Sequence, residues 1–170
     1  MITAILAGSF DPFTLGHLDL VERSLTFCDN LIIAIGTNST KNNTFSFLTK
    51  KKMIELSCAS LKGVSIGLFD NLLVNYAQKN NAQLLIRGVR STTDFEYEMN
   101  LASINKELAP EIETIFIPTK HNLAIVSSSM VRELLKYKQD ISRFVPKEIS
   151  EYIKTEINKP QFFPFDGVKT

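Results

Sequence analysis

A short segment near the N-terminus combines residue types that can hold and polarise a phosphate group. Gly8 permits a ligand to approach the backbone closely, Ser9 offers a hydroxyl group, and His17 brings an imidazole ring to the start of an expected helix, where backbone N–H groups favour anions. A lone histidine at a helix start is more often a capping or packing residue, so the prediction rests on the whole segment. That segment reads Gly8-Ser9-Phe10-Asp11-Pro12-Phe13-Thr14-Leu15-Gly16-His17.

Arginine and serine residues further along the chain can also bind phosphates. Arg87 and Arg90 lie at the end of an expected strand, where guanidinium groups can grip phosphates in bidentate fashion; two salt-bridged structural arginines are the alternative. The run Ser127-Ser128-Ser129 precedes an expected helix. Its hydroxyl groups can cap that helix, and the same exposed N–H groups can bind a triphosphate.

Glu98, Lys41 and the basic block Lys50-Lys51-Lys52 are ambiguous when each is taken alone. Glu98 lies one helical turn after Asp94, where a solvated or arginine-paired carboxylate is the ordinary interpretation. A loop lysine such as Lys41 is usually solvated. The lysine block opens an expected helix, and we interpret it as a solvated helix end, with attraction of a phosphate-bearing substrate or an acidic neighbour as the alternative.

The elements that must position these residues alternate between strands and helices. Five β-branched runs predict strands at Ile2–Ala7, Leu31–Ile35, Val64–Leu68, Leu84–Ile86 and Thr114–Ile117. Apolar residues at helical spacing separate these runs, and helices are also expected over residues 92–108, 130–137 and 146–157. The order predicts an α/β protein with a doubly wound, five-stranded parallel sheet. Such sheets bind ligands at their carboxyl edge.

The expected helix over residues 92–108 has two apolar stripes rather than one. One stripe contains Phe95 and Met99, and the other contains Tyr97, Leu101 and Ile104. Two apolar faces predict either cover by a second subunit or loop, or burial in the chain's own core.

Bulk properties favour one globular domain without nucleic-acid or membrane partners. The chain has 170 residues, 44% hydrophobic content and a formal net charge of +1, so no overall field attracts a polyanion. No apolar run approaches the ~20 residues of a spanning helix, and the start lacks a basic leader, which predicts a cytoplasmic protein. Cys28 and Cys58 form no metal-ligand cluster with the histidines and indicate a reducing compartment. We expect one domain over residues 1–158 and an irregular tail over 159–170.

Two common nucleotide-binding fingerprints are absent from the chain. Neither G-x-G-x-x-G nor G-x-x-x-x-G-K-[ST] occurs, which argues against an NAD-dependent enzyme and a P-loop ATPase. The N-terminal segment instead resembles the G-T/S-F-D-P-x-T-x-G-H start of phosphopantetheine adenylyltransferases, which belong to the T/H-x-G-H nucleotidyltransferases. Three further blocks, 85–90, 94–99 and 126–133, resemble the I-R-G-x-R, D-F-x-Y-E and I-S-S-S-x-V-R/K-E blocks of that family. The resemblance extends from residue 2 to about residue 157.

This resemblance implies a Rossmann-like nucleotidyltransferase fold and transfer of AMP from ATP to 4'-phosphopantetheine, with Mg²⁺ on the triphosphate and a homohexamer as the assembly. The implied catalytic residues are His17, Lys41, Arg90 and Ser9. The implied nucleotide side consists of Ser9, Phe10, His17, Gly88, Val89, Arg90, Glu98, Leu123, Ala124, Ile125, Val126, Ser127, Ser128 and Ser129. The implied pantetheine side consists of Ser9, Lys41, Leu73 and Arg87. No residue is implied as a resident metal ligand.

Two other functional readings compete with this one. A nicotinamide mononucleotide adenylyltransferase or a cytidylyltransferase of the same fold is the nearest, and the arginine and serine blocks argue against both. A regulatory module that binds nucleotide without reacting belongs to a different class, since a fold alone does not establish activity. The presence of His17, Lys41 and Arg90 argues against that module.

Overall fold

A parallel β-sheet is the element that positions the candidate site. In the computed structural model, which describes residues 1–37 and 43–156, five parallel strands pair in the order β3-β2-β1-β4-β5. The strands are β1 (Thr3–Gly8), β2 (Asn30–Gly36), β3 (Val64–Phe69), β4 (Leu84–Val89) and β5 (Glu113–Pro118). The expected α/β architecture with a five-stranded parallel sheet is confirmed.

Several strands extend beyond their apolar runs at the carboxyl end. The ladder between β1 and β2 continues to Gly8, which lies opposite Ile35, and β4 pairs with β5 as far as Val89, opposite Pro118. Glycine and proline carry no strand signal of their own, so the apolar pattern places these strand ends too early. The extra residues bring the strands up to the edge of the candidate site.

Four helices connect the described strands, and a short 3₁₀ turn and two further helices follow β5. The helices are α1 (Leu15–Ser24), α2 (Phe47–Ser57), α3 (Leu73–Lys79), α4 (Thr92–Leu108), α5 (Ser128–Lys136) and α6 (Lys147–Glu156), and the 3₁₀ turn is His121–Leu123. Within the two described ranges, no helix combines the length and apolarity that crossing a membrane requires. The expected boundary between domain and tail, at residues 158 and 159, lies outside the described residues.

Successive side chains of the central strand enter different parts of the core. Ala4 and Leu6 of β1 join a large cluster with residues of α1, α2, α5 and α6. Ile5 joins a smaller cluster with Val74 and Ala77 of α3. This alternation is the period of two that a strand imposes. Because β1 is buried on both faces, its carboxyl end reaches the site from the interior of the fold.

Helix α4 is largely exposed in the single chain. Glu98 is its one buried residue, whereas Tyr97, Ile104 and Leu108 are each more than half exposed. Of the two explanations for its apolar stripes, burial in the chain's own core is therefore wrong. Cover by a second subunit or a loop stays a prediction.

Candidate active site

A cavity of about 430 Å³ opens at the carboxyl ends of β1 and β4. These two strands are neighbours, and the chain proceeds from them in opposite directions, through β2 to β3 on one side and to β5 on the other. Open α/β sheets bind ligands at such a switch point. The volume lies in the range of small-molecule sites.

Gly8 and Phe10 lie where the chain leaves β1 at the edge of the cavity. Phe10 has a positive φ of 46° and its ring is buried. A Cβ on Gly8 would lie 3.0 Å from Cζ of that ring, which is closer than ordinary contact. The packing of Phe10 therefore favours glycine at this position, in addition to any close approach of a ligand.

Helix α1 fixes the tautomer of His17. Thr14 is the N-cap residue of α1, and its backbone N–H donates to Nδ1 of His17 over 3.0 Å. In a neutral imidazole one nitrogen accepts and the other carries the proton, so the proton lies on Nε2. His17 lines the cavity, and Nε2 is the ring nitrogen left to donate to a ligand there.

The surroundings of His17 keep its ring neutral. The ring centroids of Phe10 and Phe13 lie 5.0 and 5.4 Å from that of His17. Burial lowers the pKa of His17 to about 4, and the positive charge of Arg90 acts in the same direction. The imidazole is therefore uncharged near pH 7 and donates a hydrogen bond without a proton first having to bind.

A serine turn brings a second helix N-terminus to the cavity. Ser127 is the N-cap residue of α5, and its Oγ accepts the N–H of Met130 over 3.2 Å. Ser128 donates from Oγ to the carbonyl oxygen of Pro12 over 2.8 Å, which ties this turn to the loop after β1. The N-termini of α1 and α5 both border the cavity, so the positive ends of two helix dipoles face the same space.

Three arginines line the cavity and differ in their partners. The guanidinium of Arg87 is paired with the carboxylate of Glu98. Arg132 donates to the carbonyl oxygen of Asp11 over 2.6 Å. Arg90 is exposed, and its guanidinium forms no hydrogen bond or ion pair with any other residue in ranges 1–37 and 43–156. Among the three, Arg90 has the charge that is most available to an anionic ligand.

Most of the predicted phosphate-binding residues meet at this cavity. Those that line it are Ser9, Phe10, His17, Arg87, Gly88, Arg90, Val126, Ser127, Ser128 and Ser129. They come from separate stretches of the sequence. The sheet brings them together because the carboxyl ends of parallel strands share one edge.

A smaller cavity of about 140 Å³ collects a second group of predicted residues. Leu73, Arg87 and Glu98 line it, together with Leu101, Ala102, Asn105 and Thr114. Arg87 borders both cavities. The family resemblance assigns Glu98 to the nucleotide side and Leu73 to the pantetheine side, yet both line this cavity, and Glu98 is paired with Arg87.

The remaining predicted residues do not line either cavity in the described part of the chain. Val89 ends β4, and Leu123, Ala124 and Ile125 belong to the connection between β5 and α5. Ile125 is 73% exposed. Lys41, the implied catalytic lysine, lies outside the described residues.

Sequence reasoning assigned no role to three polar residues that line the larger cavity. Asp94 accepts the backbone N–H of Arg90 over 3.3 Å. Thr119 directly follows β5, and Arg132 lies one helical turn after Ser128 on α5. The helical spacing of Ser128 and Arg132 was a usable signal, since residues four apart share a helix face.

Known proteins resemble this chain over most of its length. Residues 5–134 match the family described as Cytidylyltransferase-like. A phosphopantetheine adenylyltransferase from Shouchella clausii is 45% identical over 154 residues, covering 91% of this chain and 97% of that protein. One from Staphylococcus haemolyticus is 42% identical over 156 residues, covering 92% of this chain and 97% of that protein.

A solved structure supports the fold independently of close sequence similarity. The bifunctional NMN adenylyltransferase/ADP ribose pyrophosphatase from Francisella tularensis superposes with a TM-score of 0.74 at 18% identity, covering 94% of this chain and 51% of that chain. The likeness is one of fold alone, and this chain spans about half of that protein. Together with the G-S-F-D-P and T-L-G-H motifs at the cavity, the sequence matches show that the chain belongs to the cytidylyltransferase-like family, within its group of phosphopantetheine adenylyltransferases.

Proposed function

We propose that this chain transfers the adenylyl group of ATP to 4'-phosphopantetheine and releases pyrophosphate. The observation that carries the proposal is the neutral N–H donor of His17, placed at a cavity that two helix N-termini and Arg90 also border. Such an arrangement suits a reaction in which negative charge moves between phosphate groups.

In this reaction a phosphate oxygen of 4'-phosphopantetheine attacks the α-phosphorus of ATP. A new phosphorus–oxygen bond forms there, and the bond from that phosphorus to the oxygen bridging to the β-phosphate breaks. The attacking phosphate is already anionic near neutral pH, so no general base is required. Catalysis therefore depends on positioning and on stabilising charge.

His17 donates from Nε2 to the α-phosphate as its negative charge grows in the transition state. The capping hydrogen bond from Thr14 fixes the ring before substrate arrives. A preorganised donor does not have to reorient during the reaction. Electrostatic stabilisation by such donors is therefore usually a large part of the rate enhancement in enzymes. Because the ring is neutral, His17 donates without exchanging a proton with the substrate.

Other residues hold the two substrates around this donor. Ser9 and Lys41 orient the attacking phosphate, and Arg90 with the serine turn at Ser127 holds the leaving pyrophosphate. The nucleotide occupies the larger cavity, which Phe10, Gly88 and residues 126–129 line. The family resemblance also assigns Val89 and residues 123–125 to the nucleotide, outside this lining. The pantetheine arm extends past Arg87 toward the smaller cavity beside Leu73. The apolar lining of that smaller cavity supports this assignment.

Mg²⁺ would enter with the triphosphate rather than reside on the protein. Among the described residues, no group of three His, Cys, Asp or Glu side chains could hold a metal ion, and Asp94 is the one carboxylate lining the larger cavity. This donor set fits an ion that takes most of its ligands from phosphate and water. When bound, Mg²⁺ neutralises charge on the triphosphate.

The proposal includes assembly into a homo-oligomer, with a hexamer as the form implied by the family. The half-exposed apolar residues of α4 support a subunit contact there. The proposal also places the enzyme in the cytoplasm. Free, buried Cys28 and Cys58 are consistent with such a reducing compartment.

The test is release of pyrophosphate by purified protein with ATP and Mg²⁺. One reaction contains 4'-phosphopantetheine and a parallel reaction contains nicotinamide mononucleotide. We expect release with the first acceptor only, and a loss of about 10²–10³-fold in kcat for His17→Ala. His121→Ala is the matched control, because His121 is the other histidine and is exposed outside both cavities. Pyrophosphate release with nicotinamide mononucleotide would show that the acceptor is a different one from the one proposed. No release with either acceptor would favour a module that binds nucleotide without reacting.

A further inference from the structure

Lys50 is buried, although it opens the block of three lysines interpreted as a solvated helix end. It lies in the first turns of α2 and is 3% exposed, whereas Lys52 is exposed. Its Nζ donates to Oδ1 of Asn43 over 3.2 Å. Burial of an ammonium group costs free energy unless the group is paired. The solvated interpretation is thus wrong at Lys50, and its burial requires a partner.

Asp11 supplies the negative charge that acts on Lys50. Burial lowers the pKa of Lys50, Asp11 raises it and Arg132 lowers it. The Asp11 carboxylate is itself 4% exposed and accepts the backbone N–H groups of Thr44 and Phe45, both over 2.9 Å. Lys50 therefore hydrogen-bonds to Asn43 on one side of the contact between the segment before α2 and the β1–α1 loop. Its charge also lies close enough to interact with Asp11 on the other side.

The β1–α1 loop also forms the surroundings of His17. Asp11 lies in the sequence between Phe10 and Phe13, whose rings pack on the imidazole. Arg132 holds the same loop from the α5 side through the carbonyl oxygen of Asp11. Arg132 thus contacts this loop directly, whereas Lys50 holds Asn43, the residue before the two whose N–H groups donate to Asp11.

We propose that Lys50 is a positioning residue for adenylyl transfer. It holds Asn43 and adds positive charge near the buried Asp11, so that the loop keeps the rings of Phe10 and Phe13 against His17. The inference rests on the proposed function in one respect, since His17 is the group that contacts the reacting phosphate. Without Lys50, Arg132 is the cation that remains beside the carboxylate, at 3.8 Å from Oδ2 of Asp11, and it is drawn away from the cavity that it lines.

The kinetic test compares Lys50→Met with Lys52→Met, which removes an exposed lysine from the same helix. We expect Lys50→Met to lower kcat about tenfold while the KM for ATP changes less than about twofold, because a misplaced donor weakens the transition state more than substrate binding. Lys50→Arg keeps the charge and is expected to recover most of kcat. Lys52→Met is expected to match the unchanged protein.

A second readout does not depend on the reaction at all. The chain contains two histidines, so the imidazole proton signals of His17 can be assigned by NMR with a His17→Ala reference. Ring currents from Phe10 and Phe13 make these signals sensitive to the packing of the loop. We expect Lys50→Met to move the His17 signals and Lys52→Met to leave them in place. This result holds even if 4'-phosphopantetheine proves not to be the acceptor.

If the His17 signals of Lys50→Met do not move, the proposal is wrong. This holds whether kcat is unchanged or falls only in proportion to the loss of folded protein. If Lys50→Met does not fold, Lys50→Gln takes its place, since glutamine keeps a hydrogen-bond donor for Asn43 without the charge. Native His17 signals with native kcat in Lys50→Gln would equally exclude a role for the buried charge.

Discussion

The backbone N–H of Thr14 donates to Nδ1 of His17, and this single bond decides how the histidine can act. Because Nδ1 is the acceptor, the proton of the neutral ring lies on Nε2. Thr14 is the N-cap residue of α1 and His17 lies in its first turn. The tautomer of His17 is therefore selected when α1 forms. The chain thereby converts a capping interaction into a preorganised hydrogen-bond donor.

The lowered pKa of His17 predicts how stability depends on pH. The pKa is about 4 in the folded chain, against an ordinary value of 6.5, so the unfolded chain binds more protons between these values. The free energy of unfolding should therefore fall as pH drops from 6.5 toward 4. Denaturant unfolding at several pH values would measure this fall. The slope should be smaller in His17→Gln and unchanged in His121→Gln; equal slopes in all three proteins would contradict the prediction.

The architecture was predictable because it follows from periodicity. Buried parallel strands such as β2 are nearly continuous apolar runs, and the helices between them repeat at helical spacing. The motif residues Ser9, His17 and Arg90 were also identifiable, since their types and local order suit phosphate chemistry. Strand ends such as Gly8 and Val89 were misplaced, because a glycine stands at or directly before each of them and interrupts the apolar run.

Pairings between distant residues could not be predicted in the same way. Arg87 and Glu98 join a strand to a helix, and Lys50 acts on Asp11 through the contact between two loops. Local sequence shows a lysine in a basic block or a carboxylate in a helix, and both are usually solvated. Only the packing of the elements decides that Arg87 pairs with Glu98 and that Lys50 is buried near Asp11.

Gly8→Ala should destabilise the fold, whereas Gly16→Ala should not. The added Cβ at Gly8 meets the buried ring of Phe10 at 3.0 Å, while at Gly16 the nearest atom is 3.6 Å away. We expect Gly8→Ala to lower the free energy of unfolding by about 1–3 kcal/mol. Gly16→Ala lies in a helix and should be neutral or slightly stabilising. Denaturant unfolding of both variants measures the difference, and equal stabilities would show that the Phe10 ring can move aside.

Arg90→Lys should impair turnover even though the charge is kept. A lysine cannot form the bidentate contact of a guanidinium with phosphate oxygens. Loss of one hydrogen bond to a charged group corresponds to a drop of about 10–100-fold in kcat/KM for ATP. Arg143→Lys, at an exposed arginine outside both cavities, is the control. If steady-state kinetics give the same kcat/KM for ATP in both variants, Arg90 does not bind the phosphates.

Glu98→Gln separates the two roles that the sequence and the structure suggest for this carboxylate. The family resemblance assigns Glu98 to the nucleotide, whereas its ion pair with Arg87 puts it beside Leu73, in the cavity that we propose for the pantetheine arm. Glutamine keeps the shape but loses the charge that holds the guanidinium. We therefore expect the KM for 4'-phosphopantetheine to rise about 3- to 10-fold, with the KM for ATP nearly constant.

Glu96→Gln, an exposed carboxylate on the same helix, is the matched control. A rise confined to the KM for ATP would return Glu98 to the nucleotide side and would mean that Arg87 is held by its other contact, the carbonyl oxygen of Ala7.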